Sequence, residues 1–346
     1  MESAAEIVSR PHRWRSSHPT ATTTLPRTPR WRVIGQLGEG GMGTIWEVEH
    51  VELGRRAALK TPHAHHRGRA DAAGRLRDEA RALARIRHAS VPDVLDLGTL
   101  EDGRPYFVME HIRGSDLRSE LTKHGVLSVP TAVRAVVGLL DALEAAHGAG
   151  IVHRDVKLEN LVMRDDGRLV LIDFGLALGL DDQLRRTGCG RAVGTPRCMS
   201  PEQHARGSVD QRTDLYAAGL CLFELVAGVG PFDDSRASLV GMHRAHCERT
   251  PPRLGDVAPQ VVPLELEEVT RRALAKAPED RFESAASMRD ALLRAGAHPR
   301  RRRWESEESF AETVLSPSWS DRVLDRVSLA ASSTPWEVSA SELESV

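Results

Sequence analysis

The sequence predicts an α+β fold with two lobes, in which a small antiparallel β-sheet with one helix precedes a larger, mainly helical part. Two observations carry this prediction. Residues 31–110 contain short apolar runs with the β-branched and aromatic alternation of strands, separated by glycine and charged residues. From Val129 onward, apolar residues recur at helical spacing over longer segments. We therefore expect lobes at about 31–110 and 113–296.

The composition limits the functional classes. The 346 residues carry a formal net charge of −2, so no overall field draws the protein to nucleic acid or to an anionic membrane. The four cysteines form no C-x-x-C pair, which argues against zinc or disulfides and fits a reducing cytoplasm. Residues 1–30 lack periodicity, and residues 297–346 become acidic and Ser-rich. We expect a disordered N-terminal arm and a largely disordered C-terminal tail over these ranges.

The first lobe is predicted from short strands and one helix. The predicted strands are Arg32–Gln36, Gly43–Glu49, Arg56–Lys60 and Arg104–Glu110. The segment Arg75–Arg87 predicts a helix, because Leu76, Ala80 and Leu83 recur along one face.

A glycine run, Gly38-Glu39-Gly40-Gly41-Met42-Gly43, joins the first two predicted strands. Alone, this run also fits a dinucleotide-binding fold. That fold requires a helix directly after the glycines, whereas Thr44–Glu49 has the alternation of a strand. The pattern fits a loop whose backbone N–H groups approach phosphate oxygens. Without the other motifs, an ordinary Gly-rich hairpin fits it equally well.

Lys60 ends the third predicted strand, and Glu79 shares the apolar face of the predicted helix with Leu76 and Leu83. A carboxylate on an apolar face is costly unless it is paired. Pairing with Lys60 would remove this cost, and Asp78 is the competing carboxylate.

The segment His153–Asn160, with the sequence His-Arg-Asp-Val-Lys-Leu-Glu-Asn, precedes Asp173-Phe174-Gly175 by a short interval. Asp155 can accept or orient a hydroxyl proton, and Lys157 can neutralise a migrating phosphoryl group. Asn160 and Asp173 offer the oxygen ligands that Mg²⁺ prefers.

In their order and spacing, these motifs resemble those of the eukaryotic-type protein kinases. Ser200-Pro201-Glu202-Gln203 is most similar to the bacterial serine/threonine kinase branch. The resemblance covers about residues 31–296 and implies an ATP cleft between the lobes. It implies transfer of the ATP γ-phosphoryl group to Ser or Thr hydroxyls of proteins, the chain itself included. Mg²⁺ is the implied ion, with Mn²⁺ as an alternative.

The resemblance also implies residue roles. Asp155 would be the catalytic base, Lys157 would stabilise the transferred group, and Lys60, held by Glu79, would grip the phosphates. Asn160 and Asp173 would bind the metal. The implied ATP-binding residues are Leu37, Gly38, Glu39, Gly40, Gly41, Met42, Gly43, Ile45, Ala58, Lys60, Glu110, Ile112 and Val162. Leu158 stands where the family usually has Pro, which would alter the stiffness of the loop and not its ligands.

The stretch between Asp173 and Glu202 is long enough to form an orderable switch. By resemblance, Arg154 is the residue that faces an activation-loop phosphate. Thr187 is the candidate activating phosphosite, because a phosphate there would add negative charge facing Arg154. The alternative is that Thr187 is an unmodified polar residue of the loop. By resemblance, Thr195 lies in the substrate-docking loop.

The second lobe is predicted from helices, which are Val129–Gly148, Asp214–Gly228, Leu264–Ala275 and Ser284–Arg294. The apolar stretch Leu215–Phe232 has the length of a membrane span. Glu224 and the break at Gly228-x-Gly230-Pro231 favour a buried helix instead, and so no membrane span. The resemblance implies that Glu202 pairs with Arg281 and that Asp214 braces the loop around Asp155.

Other interpretations remain open. A catalytically dead scaffold would lack Lys60, Asp155 or Asp173, and all three are present. A small-molecule kinase would not need the Ser200-Pro201-Glu202 element. Trp304, Trp319 and Trp336 in the tail favour a docking peptide as the alternative to disorder. The motif His63-x-His65-His66 could bind metal. Its position in a loop between the third strand and the helix argues against that role.

Overall fold

The computed structural model describes residues 25–40, 43–63, 70–174, 196–235 and 238–296. Their first part forms an antiparallel sheet with the strand order β1-β2-β3-β5-β4. Its strands are β1 Trp31–Gly40, β2 Gly43–His50, β3 Arg56–Pro62, β4 Val94–Thr99 and β5 Pro105–Glu110. The predicted strands are confirmed, and β4 was not anticipated from the sequence.

Helix α1, Ala70–Leu83, packs on β3, β4 and β5. Leu76, Ala80 and Leu83 are buried on the face predicted from their spacing. The helix ends four residues earlier than predicted. After Leu83 the chain tightens into i→i+3 hydrogen bonds, Arg85 N–H to Ala82 and Ile86 N–H to Leu83, and this turn buries Ile86.

The other face of the sheet has its own apolar cluster, which includes Trp31, Trp46, Val48, Leu59 and Val108. Residues of β3 point alternately to the two faces. Leu59 therefore enters this cluster, while Lys60, paired with Ile45 and Phe107 across the sheet, points towards α1.

The second lobe is mainly helical, as predicted. Its helices in the described residues are α2 Leu117–His124, α3 Val129–Gly148, α4 Pro201–His204, α5 Gln211–Ala227, α6 Leu239–Glu248, α7 Leu254–Val257, α8 Leu264–Ala273 and α9 Ala285–Gly296. A small antiparallel sheet with the order β6-β7-β8 contains Gly114–Asp116, Leu161–Arg164 and Leu169–Leu171. Helices α3, α5 and α9 pack around the common core.

Helix α5 is buried over Thr213–Ala227, so the prediction of a buried helix is confirmed. It begins at the N-cap Asp210, whose carboxylate accepts a hydrogen bond from the N–H of Arg212. It ends at Gly228, which adopts the left-handed conformation with φ of 82° that a C-cap glycine tolerates. Within the part of the chain that the structure describes, no helix is both long and apolar enough to cross a bilayer.

The implied pairing of Glu202 with Arg281 is present and fully buried at Arg281. Arg281 Nη1 and Nη2 each donate to a Glu202 carboxylate oxygen at 2.8 Å. The remaining guanidinium donors bond the carbonyls of Ala275, Arg212 and Lys276. Burial opposes ionisation of Glu202, but Arg281 outweighs it and lowers the pKa of this carboxyl.

Arg281→Met is expected to lower the free energy of unfolding by about 3–5 kcal/mol, because it leaves a buried carboxylate without its cation. Urea denaturation measures the change. Because the pKa of Glu202 is lowered in the folded state, the pair stabilises the fold fully at pH values above the ordinary Glu pKa of about 4.3. This stabilisation is lost as the pH falls through the lowered pKa. The difference between wild type and Arg281→Met should therefore shrink in acid.

Arg289→Met is the matched control. Arg289 also forms ion pairs, with the carboxylates of Asp141, Glu144 and Asp290, but nearer the surface. Surface pairs contribute about 0–1 kcal/mol. Equal losses in the two variants would contradict a structural role for the buried pair.

Candidate active site

Strand β3, helix α1 and the segment after β8 bring a lysine and two carboxylates together. Lys60 Nζ lies 2.6 Å from Glu79 Oε1, and it forms a second ion pair with Asp173 Oδ1. Glu79 is 4% exposed, so the anomaly of a carboxylate on an apolar helix face is resolved by Lys60. Asp78 instead pairs with Arg81 at the surface.

The charges of this cluster are strongly coupled. Burial disfavours the charged form of Lys60, but Asp173 and Glu79 outweigh it and raise the pKa of the ammonium group. Lys60 is also the main cause that lowers the pKa of Asp173. Burial raises the pKa of Glu79 to about 7 despite the opposing effect of Lys60. Asp173 is therefore the carboxylate that stays ionised most readily.

The loop between α3 and β7 carries the other predicted residues. Lys157 Nζ donates to Asp155 Oδ2 at 2.6 Å, and Asn160 Nδ2 donates to the Asp155 carbonyl at 2.9 Å. Burial opposes the charge on Lys157, but Asp155 outweighs it and raises the pKa of this amine. Asp155, Lys157 and Asn160 thus form one hydrogen-bonded group.

Asp214, at the start of α5, fixes the path of this loop, as the resemblance implies. Its buried carboxylate accepts hydrogen bonds from the backbone N–H groups of His153 and Arg154, both at 2.8 Å. His147 Nε2 lies 2.8 Å from the same carboxylate. These contacts hold Arg154 at a φ of 67°, which is unusual for a residue with a side chain.

An apolar cavity lies between the two lobes. Six of the predicted ATP-binding residues line it: Leu37, Ile45, Ala58, Glu110, Ile112 and Val162. Pro92, Met109, His111 and Ile172 complete the wall. Its aliphatic walls suit a flat heteroaromatic ring.

The described residues of the glycine run, Gly38–Gly40 and Gly43, belong to β1 and β2. Gly38 pairs with Ile45, Glu39 with Thr44, and Gly40 with Gly43. A Cβ at Gly43 would lie 2.2 Å from the Thr61 carbonyl oxygen, so only glycine allows β2 to approach β3 there.

Asn160 and Asp173 are suited to hold a divalent cation. The amide nitrogen of Asn160 is used by the Asp155 carbonyl, which leaves the amide oxygen as a ligand. Asp173 is ionised and its side chain is 37% exposed, so a cation can reach it. Both are hard oxygen donors, as Mg²⁺ and Mn²⁺ require.

Several predicted residues lie outside the described residues. They are Gly41, Met42, Gly175, Thr187, Thr195, His65 and His66.

Sequence reasoning missed a charge cluster behind the loop. Arg118 donates to both oxygens of Glu224, at 2.6 and 2.7 Å, and to Glu159 at 3.0 Å. Arg197 forms a further ion pair with Glu224. Glu224 is the single charged residue in the apolar stretch Leu215–Phe232. A carboxylate in such a stretch indicates a cationic partner, but the sequence alone did not show which residue supplies it.

The protein kinase domain model matches residues 31–293. The serine/threonine-protein kinase Pkn1 of Myxococcus xanthus is 40% identical over 274 residues, which cover 77% of this chain and 38% of that protein. The kinase pkn3 of the same organism is 37% identical, covering 83% of this chain and 54% of that protein. The chain thus spans about two fifths to one half of these relatives.

Solved structures give the same result for the fold. The Mycobacterium tuberculosis PknI kinase domain is 28% identical with a TM-score of 0.60, and the match covers 80% of this chain and 99% of that domain. The antiparallel sheet lobe and the helical lobe have their counterparts there, which confirms the predicted fold. Because the domain model spans the two lobes and the site between them, the chain belongs to the protein kinase family.

Proposed function

We propose that the protein is a serine/threonine protein kinase that transfers the ATP γ-phosphoryl group to Ser or Thr hydroxyls of proteins. One observation carries the proposal: Lys60, Glu79 and Asp173, far apart in sequence, form one ion cluster in the structure. An apolar cavity and the group of Asp155, Lys157 and Asn160 accompany it.

The cavity binds adenine in this proposal. Ile45, Ala58 and Val162 enclose the ring, and the backbone of Glu110 and Ile112 bonds its edge. Lys60 then binds the α- and β-phosphates, and Glu79 holds its flexible side chain in place. Asn160 and Asp173 would hold the metal, for which Mg²⁺ is proposed and Mn²⁺ is the alternative. A divalent cation there would neutralise charge on the phosphates.

Asp155 orients the acceptor hydroxyl and takes its proton. The hydroxyl oxygen forms a bond to the γ-phosphorus as the bond from that phosphorus to the bridging oxygen breaks, and ADP leaves. Lys157, 2.6 Å from Asp155, stabilises charge on the transferred group. A lysine two residues after Asp155 resembles the serine/threonine kinases rather than the tyrosine kinases.

Further proposals concern the domain boundaries, the location and the regulation of the protein. The catalytic unit is residues 31–296, with an N-terminal arm over 1–30 and a tail over 297–346 that docks a partner. We further propose a cytoplasmic location and autophosphorylation at Thr187.

The test is incubation with radiolabelled ATP and either Mg²⁺ or Mn²⁺, with a general acceptor protein and Lys60→Met as the inactive comparison. We expect label in phosphoserine and phosphothreonine, with Mg²⁺ the more effective ion, and mass spectrometry should find phosphate on Thr187. Label found only in phosphotyrosine or in small molecules would refute the serine/threonine protein kinase assignment.

A further inference from the structure

The chain between α7 and α8 presents two large apolar side chains to solvent. Val261 is 92% exposed, and Leu264, the first residue of α8, is 73% exposed. Val262 packs against the common core, so this segment is held in place while its neighbours face outward. Exposed apolar side chains on a fixed backbone favour contact with another apolar group, because the contact removes their surface from water. We call Val261 and Leu264 the apolar pair.

The apolar pair lies in an acidic segment. Residues 254–268 contain no lysine or arginine and four carboxylates, which are Asp256, Glu265, Glu267 and Glu268. Glu267 accepts hydrogen bonds from two backbone N–H groups at the start of α7, and these bonds hold α7 against α8. Asp256 and Glu265 are exposed, and neither has an ion-pair partner among the described residues. The surface around the apolar pair therefore attracts cations.

The end of α9 lies close to this surface. Gln260, which directly precedes the apolar pair, accepts a hydrogen bond from the N–H of Val129 at 3.2 Å. At the end of α9, a Cβ on Gly296 would lie 3.4 Å from Val133 Cγ1. Val129 and Val133 are one helical turn apart on α3, or about 6 Å. The chain therefore leaves α9 at the same end of α3 as the apolar pair.

The sequence that follows Gly296 matches this surface in chemistry. After three residues it continues with four arginines and a tryptophan, Arg300–Trp304, which lie outside the described residues. An indole ring buries a large apolar area, and arginines pair with carboxylates while their methylene groups cover apolar surface. The eight residues from Gly296 to Trp304 can span up to about 26–29 Å, so the chain can bring this segment to the apolar pair.

We propose that the apolar pair and the carboxylates around it bind the segment Arg300–Trp304 of the same chain. Trp304 covers Val261 and Leu264, and the arginines face Asp256 and Glu265. The apolar contact and the charge pairing act together, because the basic residues directly precede the tryptophan as the acidic residues flank the apolar pair.

The position of this anchor has a consequence for the tail. Helix α3 has 20 residues and is about 30 Å long. Its last turn carries His147, which lies 2.8 Å from the Asp214 carboxylate that fixes the Asp155 loop. The anchor lies at the opposite end of α3. It therefore holds the start of the tail away from the proposed active site and leaves residues 305–346 for the proposed partner. The inference does not depend on phosphoryl transfer.

The direct experiment is photo-cross-linking in the full chain with Trp304→benzoylphenylalanine at low protein concentration. Peptide mass spectrometry should find cross-links within one chain between position 304 and residues 254–268. Cross-links that join two copies, or cross-links within the chain that avoid residues 254–268, would overturn the proposal.

Trypsin cleavage after Arg300–Arg303 tests the apolar contact, because the protease cuts the undocked form. Val261→Ser with Leu264→Ser should speed this cleavage about tenfold, since the indole loses its apolar partner. Val51→Ser with Leu53→Ser is the matched control, because these side chains are 61% and 74% exposed on the turn after β2. The control should stay within about twofold of wild type. Equal rates in wild type and the Val261→Ser, Leu264→Ser variant would overturn the proposal.

Charge reversal tests the acidic rim separately. Asp256→Lys with Glu265→Lys should speed the same cleavage about fivefold at low salt, and the difference from wild type should shrink as salt is added. Glu279→Lys with Asp280→Lys changes the net charge equally at another exposed site and should have little effect. Equal acceleration by the two double variants would reduce the effect to overall charge and would overturn the pairing of the arginines with this surface.

Discussion

Asp155→Asn is expected to lower kcat for transfer to Ser and Thr by about 10²–10⁴-fold, with the Kd for ATP changed by less than about threefold. The substitution removes the carboxylate that accepts the hydroxyl proton. It preserves the shape of the side chain, and the backbone carbonyl that bonds Asn160 stays in place. Since the adenine cavity and Lys60 are untouched, nucleotide binding should remain.

Steady-state kinetics with a peptide acceptor, together with calorimetric titration of ATP, separates the two effects. Asp166→Asn is the matched control, because Asp166 pairs with the neighbouring Arg168 at the exposed turn between β7 and β8. Transfer by Asp155→Asn at the wild-type rate would refute the role of this residue.

Lys60→Met is expected to lower kcat/KM by about 10²–10³-fold, because the α- and β-phosphates lose their positive charge. The substitution also removes the cation between Glu79 and Asp173. The pKa of Asp173, which is held down mainly by Lys60, should then rise. Metal binding by Asp173 should consequently weaken at acidic pH, because the carboxyl must lose a proton first.

The measurement is the pH dependence of kcat/KM with Mg²⁺ and ATP for both proteins. The acidic limb of the Lys60→Met profile should move to higher pH. Lys123→Met, at an exposed position on α2, controls for the loss of a lysine. An unshifted acidic limb with full activity would show that Lys60 does not act through the phosphates or Asp173.

Local patterns predicted the elements well where their ends carry clear signals. Helix α3 has its predicted bounds, Val129–Gly148, because Ser128 and Pro130 mark its start and glycines mark its end. Helix α1 was less predictable, since the turn after Leu83 depends on the burial of Ile86 by the tertiary structure. Strand β4 was missed because its residues are only partly buried, so their pattern is weak.

The site depends on contacts between distant residues, which periodicity does not encode. Glu79 was identified from the family resemblance together with the cost of an unpaired carboxylate on an apolar face. The same argument applied to Glu224, but its cations Arg118 and Arg197 come from a short helix and a turn with no pattern to mark them. The assignment of Asp155, Asn160 and Asp173 relied on family resemblance, because a hydrogen-bonded loop has no periodic signal.

The measurement that tests the central claim most directly is a crystal structure with Mg²⁺ and a non-hydrolysable ATP analogue. The expected result is one Mg²⁺ at about 2.0–2.1 Å from oxygens of Asn160 and Asp173. Lys60 should contact the α- and β-phosphates, and adenine should lie between Ala58 and Val162. A triphosphate bound away from Asp173, or separate pockets for Asp155 and Asp173, would contradict the account.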